Sequence, residues 1–330
     1  MADSHEVRLR SVPRGLPRPE DFEVARVPVP DPGPDEVLVR NRYFHVFAGL
    51  RTLLAGTVPD TPLPPFRPGE ALSGAAVGEV IAAPPGSGLT AGTLVSHWLG
   101  WREHAVVPVG QVTPLDDALP DPVAHLTQSR TAFEAVRQSG LAPGEAVFVS
   151  GGGGSVGSMA GQIARLRGAG RIVGSTSTPR KAERLVAEFG YDDVVLRGGE
   201  PLVDQLRRAA PAGVDVMIDT VGGEQLAAGL EVARTGSRFV LVGALAGQLD
   251  PGGHSAPTVA LDSYRLILRQ ITVRGLSHAQ PSAWARQVGD WAARGLVSFP
   301  HVRVRGIDRA PAALADTMAG RYAGTVVVEV

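Results

Sequence analysis

Apolar and polar residues follow two different patterns along the chain, and the change falls near residue 125. Before that point, short apolar or β-branched runs such as "EVLVRNRYF", "ALSGAAVGEVIAA" and "TLVSHWLGWREHAVVP" are separated by glycine and proline. The prolines include Pro28, Pro30, Pro32 and Pro34. Such runs with frequent breaks predict a curved, β-rich domain.

From about residue 126, the pattern is that of strands alternating with helices. "PVAHLTQSRTAFEAVRQSGLAP" predicts one helix, because its apolar residues recur at helical spacing and it ends in Gly-Leu-Ala-Pro. After it, helical stretches such as "EQLAAGLEVART" separate the apolar strands "AVFVSG", "RIVGST", "DDVVLR", "VDVMIDTV" and "SRFVLVGAL". This alternation predicts an α/β fold with a doubly wound parallel sheet. "RYAGTVVVEV" predicts a last strand that returns to the first domain.

Composition limits the classes of protein that the chain can belong to. A length of 330 residues, 44% of them hydrophobic, allows two domains with sizeable cores. The net charge of −1 gives no reason to expect nucleic acid or an anionic membrane as a partner. The chain has no cysteine, which excludes disulfides, thiolate zinc ligands and cysteine nucleophiles. Because the start is polar and no apolar run reaches membrane-spanning length, we expect a cytoplasmic protein.

Four consecutive glycines stand between the strand "AVFVSG" and the helix "SVGSMAGQIARL". Gly151, Gly154 and Gly157 form the pattern G-x-x-G-x-x-G across this junction. Glycines at this spacing allow a tight turn and bring backbone N–H groups at a helix N-terminus against a pyrophosphate. The alternative is a flexible connecting loop. The strand before, the helix after and the further αβ units favour a dinucleotide site.

The end of the second strand of this region indicates which dinucleotide is bound. NAD sites usually carry an Asp or Glu there, which holds the ribose hydroxyls. Here the segment reads "VGSTSTPRKAERL", with Ser175, Ser177, Arg180 and Lys181 and no acid before Glu183. Hydroxyls and cations suit a 2′-phosphate, so NADP(H) is predicted. The alternative is that Arg180 and Lys181 are solvated residues of a surface helix.

The segments "PPFRPGEALSGAAVGEVIAA", "GWREHAVVP", "VFVSGGGGSVGSMAGQIARLRG", "DVMIDTVGG" and "RFVLVGAL" occur in an order and spacing that resemble a known family. The chain resembles the medium-chain dehydrogenase/reductase superfamily, within it the zinc-free branch of leukotriene B4 dehydrogenase/prostaglandin reductase and 2-alkenal reductases. The resemblance implies a GroES-like catalytic domain formed by residues 1–125 and 295–330. It implies a Rossmann NADP-binding domain at residues 126–294, and a homodimer.

The resemblance also implies cofactor contacts, and Lys181 falls where the family has its 2′-phosphate lysine. No metal is expected, because Gly69-Glu70 stands where zinc-dependent relatives carry Gly-His-Glu and no cysteine is available. The predicted cofactor-binding residues are Thr131, Gly151, Gly154, Ser155, Val156, Gly157, Ser175, Ser177, Arg180, Lys181, Val221, Gly243 and Leu245.

The chemistry that the resemblance implies is hydride transfer from NADPH to the β-carbon of an activated C=C bond of an enone or enoyl substrate. The predicted catalytic residues are Arg130, Tyr43 and His45, and a guanidinium such as that of Arg130 can hold an enolate oxygen. For Arg130 the alternative is an ion pair with Glu134, four residues further along the helix. Weaker candidates are Tyr264, His278, His97 and Trp98.

The substrate side of the chain departs from the branch at several positions: the tyrosine expected after "VLVGAL" is absent, and His104 stands where the branch often has tyrosine. Phe47 and Phe133 stand where the branch has tyrosines, which predicts a different substrate, for example one from polyketide-type biosynthesis. Two alternative functions stay open. One is a zinc-free NADPH:quinone oxidoreductase. The other is an NADPH-binding protein without turnover.

Overall fold

The computed structural model describes residues 3–56, 63–250, 259–277 and 283–330. They fall into two compact units. Unit 1 comprises the described residues up to Thr127 together with His301–Val330. Unit 2 comprises the described residues from Gln128 to Pro300.

Unit 1 is built around a long central strand, β3, which pairs antiparallel with β4, β6 and β15. The seven-stranded sheet has the order β14-β15-β3-β4-β5-β7, with β6 added beside β3, and β1 and β2 form a separate hairpin-like pair. The strands are β1 (Asp3–Leu9), β2 (Phe22–Pro28), β3 (Glu36–Val46), β4 (Ala76–Ala82), β5 (Leu94–His97), β6 (His104–Pro108), β7 (Thr113–Pro114), β14 (His301–Arg305) and β15 (Thr325–Glu329), and the α-helices are α1 (Leu50–Ala55) and α10 (Ala310–Met318).

The core of this sheet consists mainly of valines. Val37, Val39, Val80, Val95 and Val107 are all fully buried in one cluster. β-Branched side chains pack well on a pleated surface, which is why these runs form strands. The prediction of a β-rich first region is therefore confirmed.

Unit 2 contains a six-stranded sheet in the order β10-β9-β8-β11-β12-β13, and every pairing in it is parallel. Numbered within the sheet, this is the order 3-2-1-4-5-6 of dinucleotide-binding sheets. The order reverses between β8 and β11, and ligands bind such sheets outside the carboxyl ends of the strands at that point. The strands are β8 (Ala146–Val149), β9 (Arg171–Thr176), β10 (Asp193–Leu196), β11 (Val214–Asp219), β12 (Ala233–Leu241) and β13 (Thr272–Gly275).

Helices connect these parallel strands and cover the sheet, which confirms the predicted α/β class. Among the described residues, no helix combines the length and apolarity that crossing a membrane requires. The helices of unit 2 are α2 (Ser129–Gln138), α3 (Gly157–Leu166), α4 (Pro179–Glu188), α5 (Leu202–Ala209), α6 (Gly223–Glu231), α7 (Leu245–Gln248), α8 (Ser263–Leu268) and α9 (Trp284–Ala293).

Two predicted elements were wrong in detail. The single helix predicted from residue 122 is divided into a 3-10 turn, Pro122–Leu126, and α2, because Thr127 adopts an extended backbone. The Thr127 hydroxyl donates to the Ala124 carbonyl oxygen (2.7 Å) and so ends the turn. The helix predicted by "EQLAAGLEVART" ends at Glu231, and its last three residues begin β12.

Candidate cofactor-binding and active site

The glycine run turns sharply where β8 ends and α3 begins. Gly151 has a φ of +65°, and a Cβ there would lie 2.6 Å from the Thr220 hydroxyl oxygen. A Cβ on Gly157 would lie 2.3 Å from the Gly151 carbonyl oxygen. Inside the turn, the Gly154 N–H donates to that same carbonyl (2.8 Å). Both ends of the turn therefore require glycine, which excludes the interpretation as a loose loop.

Three N–H groups of the turn are not used in hydrogen bonds within the described chain. Within the part of the chain that the structure describes, the N–H groups of Gly153, Val156 and Gly157 have no hydrogen-bond acceptor. They lie at the N-terminus of α3, which has no side-chain cap. Unpaired N–H groups and the positive end of a helix dipole fit a pyrophosphate.

Gly152 faces the protein interior and allows close packing behind the turn. A Cβ there would lie 2.7 Å from a methyl carbon of Leu185 and 3.1 Å from the Tyr191 ring. Tyr191 is buried, burial raises the pKa of its phenol, and its hydroxyl donates to the Gly157 carbonyl oxygen (2.7 Å). Tyr191 thus stabilises the turn from the interior side, through its hydrogen bond to Gly157.

Ser175, predicted as a cofactor contact, is fully buried at the carboxyl end of β9. Its Oγ accepts the Gly151 N–H (2.8 Å), and its hydroxyl donates to Oε1 of the buried Gln225 on α6. Since both its hydrogen-bonding functions are used within the protein, Ser175 anchors the turn rather than facing a ligand. This corrects the sequence-based role.

The predicted 2′-phosphate residues lie beside the turn. The Lys181 side chain passes Gly153, with its Cδ 3.8 Å from the position of a Cβ there. Burial lowers the pKa of Lys181, and the positive charge of Arg197 lowers it further. Ser177 is half-buried and Arg180 is exposed.

Arg197 was missed by the sequence analysis. It follows β10, and its N–H donates to the Thr176 carbonyl oxygen at the end of β9 (3.0 Å). The sequence signal that could have identified it is a cation directly after β10, the third strand of this sheet along the chain. Arg197 is close enough to Lys181 to lower its pKa, and two neighbouring cations favour a phosphate.

The other predicted cofactor contacts of this sheet edge lie at the carboxyl ends of β11 and β12. The Gly243 N–H donates to the Asp219 carbonyl oxygen (3.2 Å), and the Leu245 N–H donates to that of Thr220 (3.3 Å). A Cβ on Gly243 would lie 2.9 Å from the Thr220 carbonyl oxygen. Val221 is buried in the same corner. The structure thus brings Val221, Gly243 and Leu245 together at the carboxyl ends of β11 and β12, next to the point where the strand order reverses.

Helix α2 carries Arg130 and Thr131 in its first turn. The Thr131 hydroxyl donates to Gln128 Oε1 (2.8 Å). Arg130 is exposed, and no ion pair joins it to Glu134 in the described chain. Glu134 Oε2 instead accepts from Arg137 (2.7 Å), so the ion-pair alternative for Arg130 is wrong.

Tyr43 and His45 lie on the same face of β3 in unit 1. Tyr43 packs beneath the guanidinium of Arg303, whose carbon is 5.2 Å from the ring centroid. His45 is 4% exposed, and burial lowers its pKa to about 4. Its imidazole is therefore neutral at pH 7, which does not suit a cationic proton donor. The ring stacks on Phe47 at 5.4 Å.

Among the weaker candidates, His97 is held within the protein by hydrogen bonds, and Tyr264 and Trp98 are exposed. His97 is buried, its Nε2 lies 2.9 Å from Asn41 Oδ1, and its Nδ1 accepts the Leu99 N–H (3.0 Å). Tyr264 and Trp98 are exposed, and Trp98 lies 6.3 Å from Phe47 between ring centroids. His278 lies outside the described residues.

Phe133 was predicted to signal a changed substrate, and its surroundings contradict that reading. It is 4% exposed and packs against Trp291 at 6.2 Å and beneath the Arg167 guanidinium at 5.2 Å. The missing hydroxyl therefore reflects packing between α2, α3 and α9.

Acidic and histidine side chains do not form a metal-binding group anywhere in residues 3–56, 63–250, 259–277 or 283–330.

Comparison with known proteins places both parts of the chain. The family described as "Zinc-binding dehydrogenase" matches residues 155–294, and "N-terminal domain of oxidoreductase" matches residues 5–115. The NADPH-dependent curcumin reductase of Escherichia coli is 26% identical over 338 residues, covering 98% of this chain and 95% of that protein. The 2-alkenal reductase (NADP(+)-dependent) of Nicotiana tabacum is 26% identical over 339 residues, covering 98% and 97%.

A solved structure shares the fold over almost the whole length. CurA from Vibrio vulnificus in complex with NADPH superposes with a TM-score of 0.88 at 22% identity, covering 99% of each chain.

Proposed function

Because the chain belongs to the medium-chain dehydrogenase/reductase superfamily, we propose that it is an NADPH-dependent reductase of activated C=C bonds. NADPH, when bound, supplies the hydride for the β-carbon of an enone or enoyl substrate. Two relatives that match nearly the whole chain are named for NADPH or NADP(+) as cofactor. One of them is named for 2-alkenals, in which the C=C bond is conjugated with a carbonyl group.

The observation that carries the cofactor assignment is the cation pair beside the glycine turn. Lys181 lies in the first turn of α4 and Arg197 directly follows β10, near enough for Arg197 to lower the pKa of Lys181. No acidic residue occurs between Gly174 and Lys181. A carboxylate there would repel a 2′-phosphate, whereas two cations attract it.

On the substrate side, we propose that Arg130 holds the oxygen on which negative charge develops. Its guanidinium has no carboxylate partner among the described residues and lies in the first turn of α2, beside Thr131. Donors that are ready before the reaction stabilise such an oxyanion most effectively. Of the other two predicted catalytic residues, Tyr43 can donate a hydrogen bond through its hydroxyl. The neutral His45 can donate only through a ring N–H.

Binding measurements test the cofactor proposal. Each charge-assisted hydrogen bond contributes about 1.5–3 kcal/mol, or roughly ten- to a hundredfold in affinity. Lys181→Ala should weaken NADPH binding by about that factor and leave NADH binding nearly unchanged. Arg184→Ala is the matched control, because Arg184 lies on the same helix and pairs with Glu188 (2.7 Å). Equal losses for NADPH and NADH would remove Lys181 from the 2′-phosphate site.

A panel of acceptors tests the reaction. NADPH oxidation with enones, and not with quinones, supports the proposal. Oxidation with quinones alone would favour the quinone oxidoreductase alternative. NADPH binding without oxidation by any acceptor would favour a protein without turnover.

We also propose that the protein forms a homodimer through the outer edge of the sheet in unit 2. Helix α8 exposes Tyr264, Ile267 and Leu268 by 69%, 71% and 61%. The neighbouring β13 is an edge strand that pairs only with β12 in the described chain. An apolar helix face beside an unpaired edge is protected when a second copy covers both.

A further inference from the structure

The carboxylate of Asp219 lies directly behind the glycine turn, where no cofactor contact was predicted. We infer that Asp219 is a positioning residue, which acts through Ser150 and Thr220 to fix the entry of the turn in its binding geometry. This inference rests on the proposed function, because the ligand concerned is NADPH.

Asp219 is the last residue of β11 and is 1% exposed. Its Oδ1 accepts the Ser150 hydroxyl (2.5 Å) and the N–H groups of Val221 (3.2 Å) and Gly222 (3.0 Å). No Lys, Arg or His of the described chain forms an ion pair with it. The charge is therefore balanced by three oriented donors.

Ser150 carries this interaction to the glycine turn. It is fully buried between the end of β8 and Gly151. Its Oγ also accepts the Thr220 N–H (2.8 Å), and its carbonyl oxygen accepts the Thr220 hydroxyl (2.7 Å). The Thr220 hydroxyl is the atom that lies 2.6 Å from a Cβ position on Gly151. The three side chains thus fix the ends of β8 and β11 at the first glycine.

The main chain of Asp219 is bound to the neighbouring strand end. The Asp219 carbonyl oxygen accepts the N–H groups of Val242 (2.7 Å) and Gly243 (3.2 Å), after β12. The carboxylate connects the phosphate turn with Val221 through Ser150, and the backbone of the same residue holds Gly243. Burying a carboxylate is costly, so packing alone would favour an apolar residue here, and the donors from Ser150, Val221 and Gly222 offset that cost.

Substitutions of Ser150, Thr220 and Asp219 test the inference. Ser150→Ala removes a donor to the carboxylate and an acceptor for Thr220, and Thr220→Val removes one hydroxyl with little change of shape. We expect Ser150→Ala to raise the Kd of NADPH and of NADH by the same factor, about tenfold or more. The NADPH/NADH ratio should stay at the wild-type value, unlike that of Lys181→Ala. Asp219→Asn keeps one acceptor oxygen and should lose less affinity than Asp219→Ala.

Ser237 provides a matched control within the same sheet. It is 1% exposed, and its hydroxyl donates to the Val214 carbonyl oxygen (2.8 Å) at the opposite, amino end of β11. Ser237→Ala should lower the thermal midpoint of the free protein, as Ser150→Ala does, and leave both Kd values unchanged.

The measurements are isothermal titration with NADPH and NADH, and thermal unfolding of each free variant. Unchanged Kd values in both Ser150→Ala and Thr220→Val would overturn the positioning role. If Ser150→Ala does not fold, Thr220→Val and Asp219→Asn decide by the same titrations. A wild-type protein that binds neither nucleotide would overturn the proposed function, and this inference with it.

Discussion

Acidification from pH 7 to pH 5 should destabilise unit 1 through two buried histidines. Burial lowers the pKa of His45 to about 4, and burial with a contribution from Arg102 lowers that of His97 to about 4. In the unfolded chain both return to their ordinary value of 6.5. Between these values the unfolded state binds more protons than the folded state, so stability falls as the pH falls.

The size of this effect follows from the difference in pKa. A difference of about 2.5 units corresponds to about 3 kcal/mol for each histidine once the pH is below both values. At pH 5 about 2 kcal/mol of this has been lost for each, because the folded state is still largely deprotonated. The two together predict a loss of about 4 kcal/mol in the free energy of unfolding.

Urea unfolding at several pH values measures this loss, with the fluorescence of Trp98 and Trp101 reporting on unit 1 in a background in which Trp284 and Trp291 of unit 2 are replaced by Phe. His97→Gln retains a donor and an acceptor for the contacts with Asn41 and Leu99 and removes the titration. It should be less stable than the wild type at pH 7 and should lose about 2 kcal/mol less on acidification. His5, which is partly exposed, provides the control substitution His5→Gln.

Two results would refute this reasoning. One is a wild-type protein whose stability is equal at pH 7 and pH 5. The other is a His97→Gln variant with the full wild-type dependence on pH.

Three further predictions concern the site and the assembly. Gly157→Ala should abolish NADPH binding, because its Cβ would lie 2.3 Å from a backbone carbonyl oxygen, whereas Gly199→Ala, with open space around it, should bind normally in the same titration. Arg130→Met should lower the single-turnover rate of hydride transfer by roughly a hundredfold and leave the Kd of NADPH unchanged; an unchanged rate would exclude Arg130 from the reaction. Ile267→Asp should convert a dimer into a monomer in sedimentation, while Val186→Asp, at a position 50% exposed on α4, should not; a monomeric wild type at micromolar concentration would contradict the dimer.

The elements of the chain could be predicted because their signals are local. The β-branched runs of unit 1 and the strand, glycine turn and helix at residues 146–166 each lie within one short stretch. Even so, the break at Thr127 was missed, since it depends on one hydroxyl that donates back into the preceding turn.

The arrangement behind the turn could not be predicted, because it joins residues distant in sequence. Ser150 and Asp219 are 69 positions apart, and Ser175 and Gln225 are 50 apart. Nothing near Ser175 in the sequence indicates that its hydroxyl will donate to Gln225 on α6, the helix that follows β11. For Phe133 the family pattern pointed to the substrate, whereas its ring packs against Trp291.

The glycines of the turn differ in what they allow, which matters for altering the cofactor preference by protein engineering. The atoms nearest to a Cβ on Gly153 would be the Thr176 hydroxyl oxygen at 3.3 Å and Leu185 and Lys181 side-chain carbons at 3.4 and 3.8 Å. Its φ does not lie in the left-handed region, so an L-amino acid can adopt its backbone. A mutant library for NADH use should therefore vary Gly153 together with Lys181, and keep the glycines on either side of it fixed.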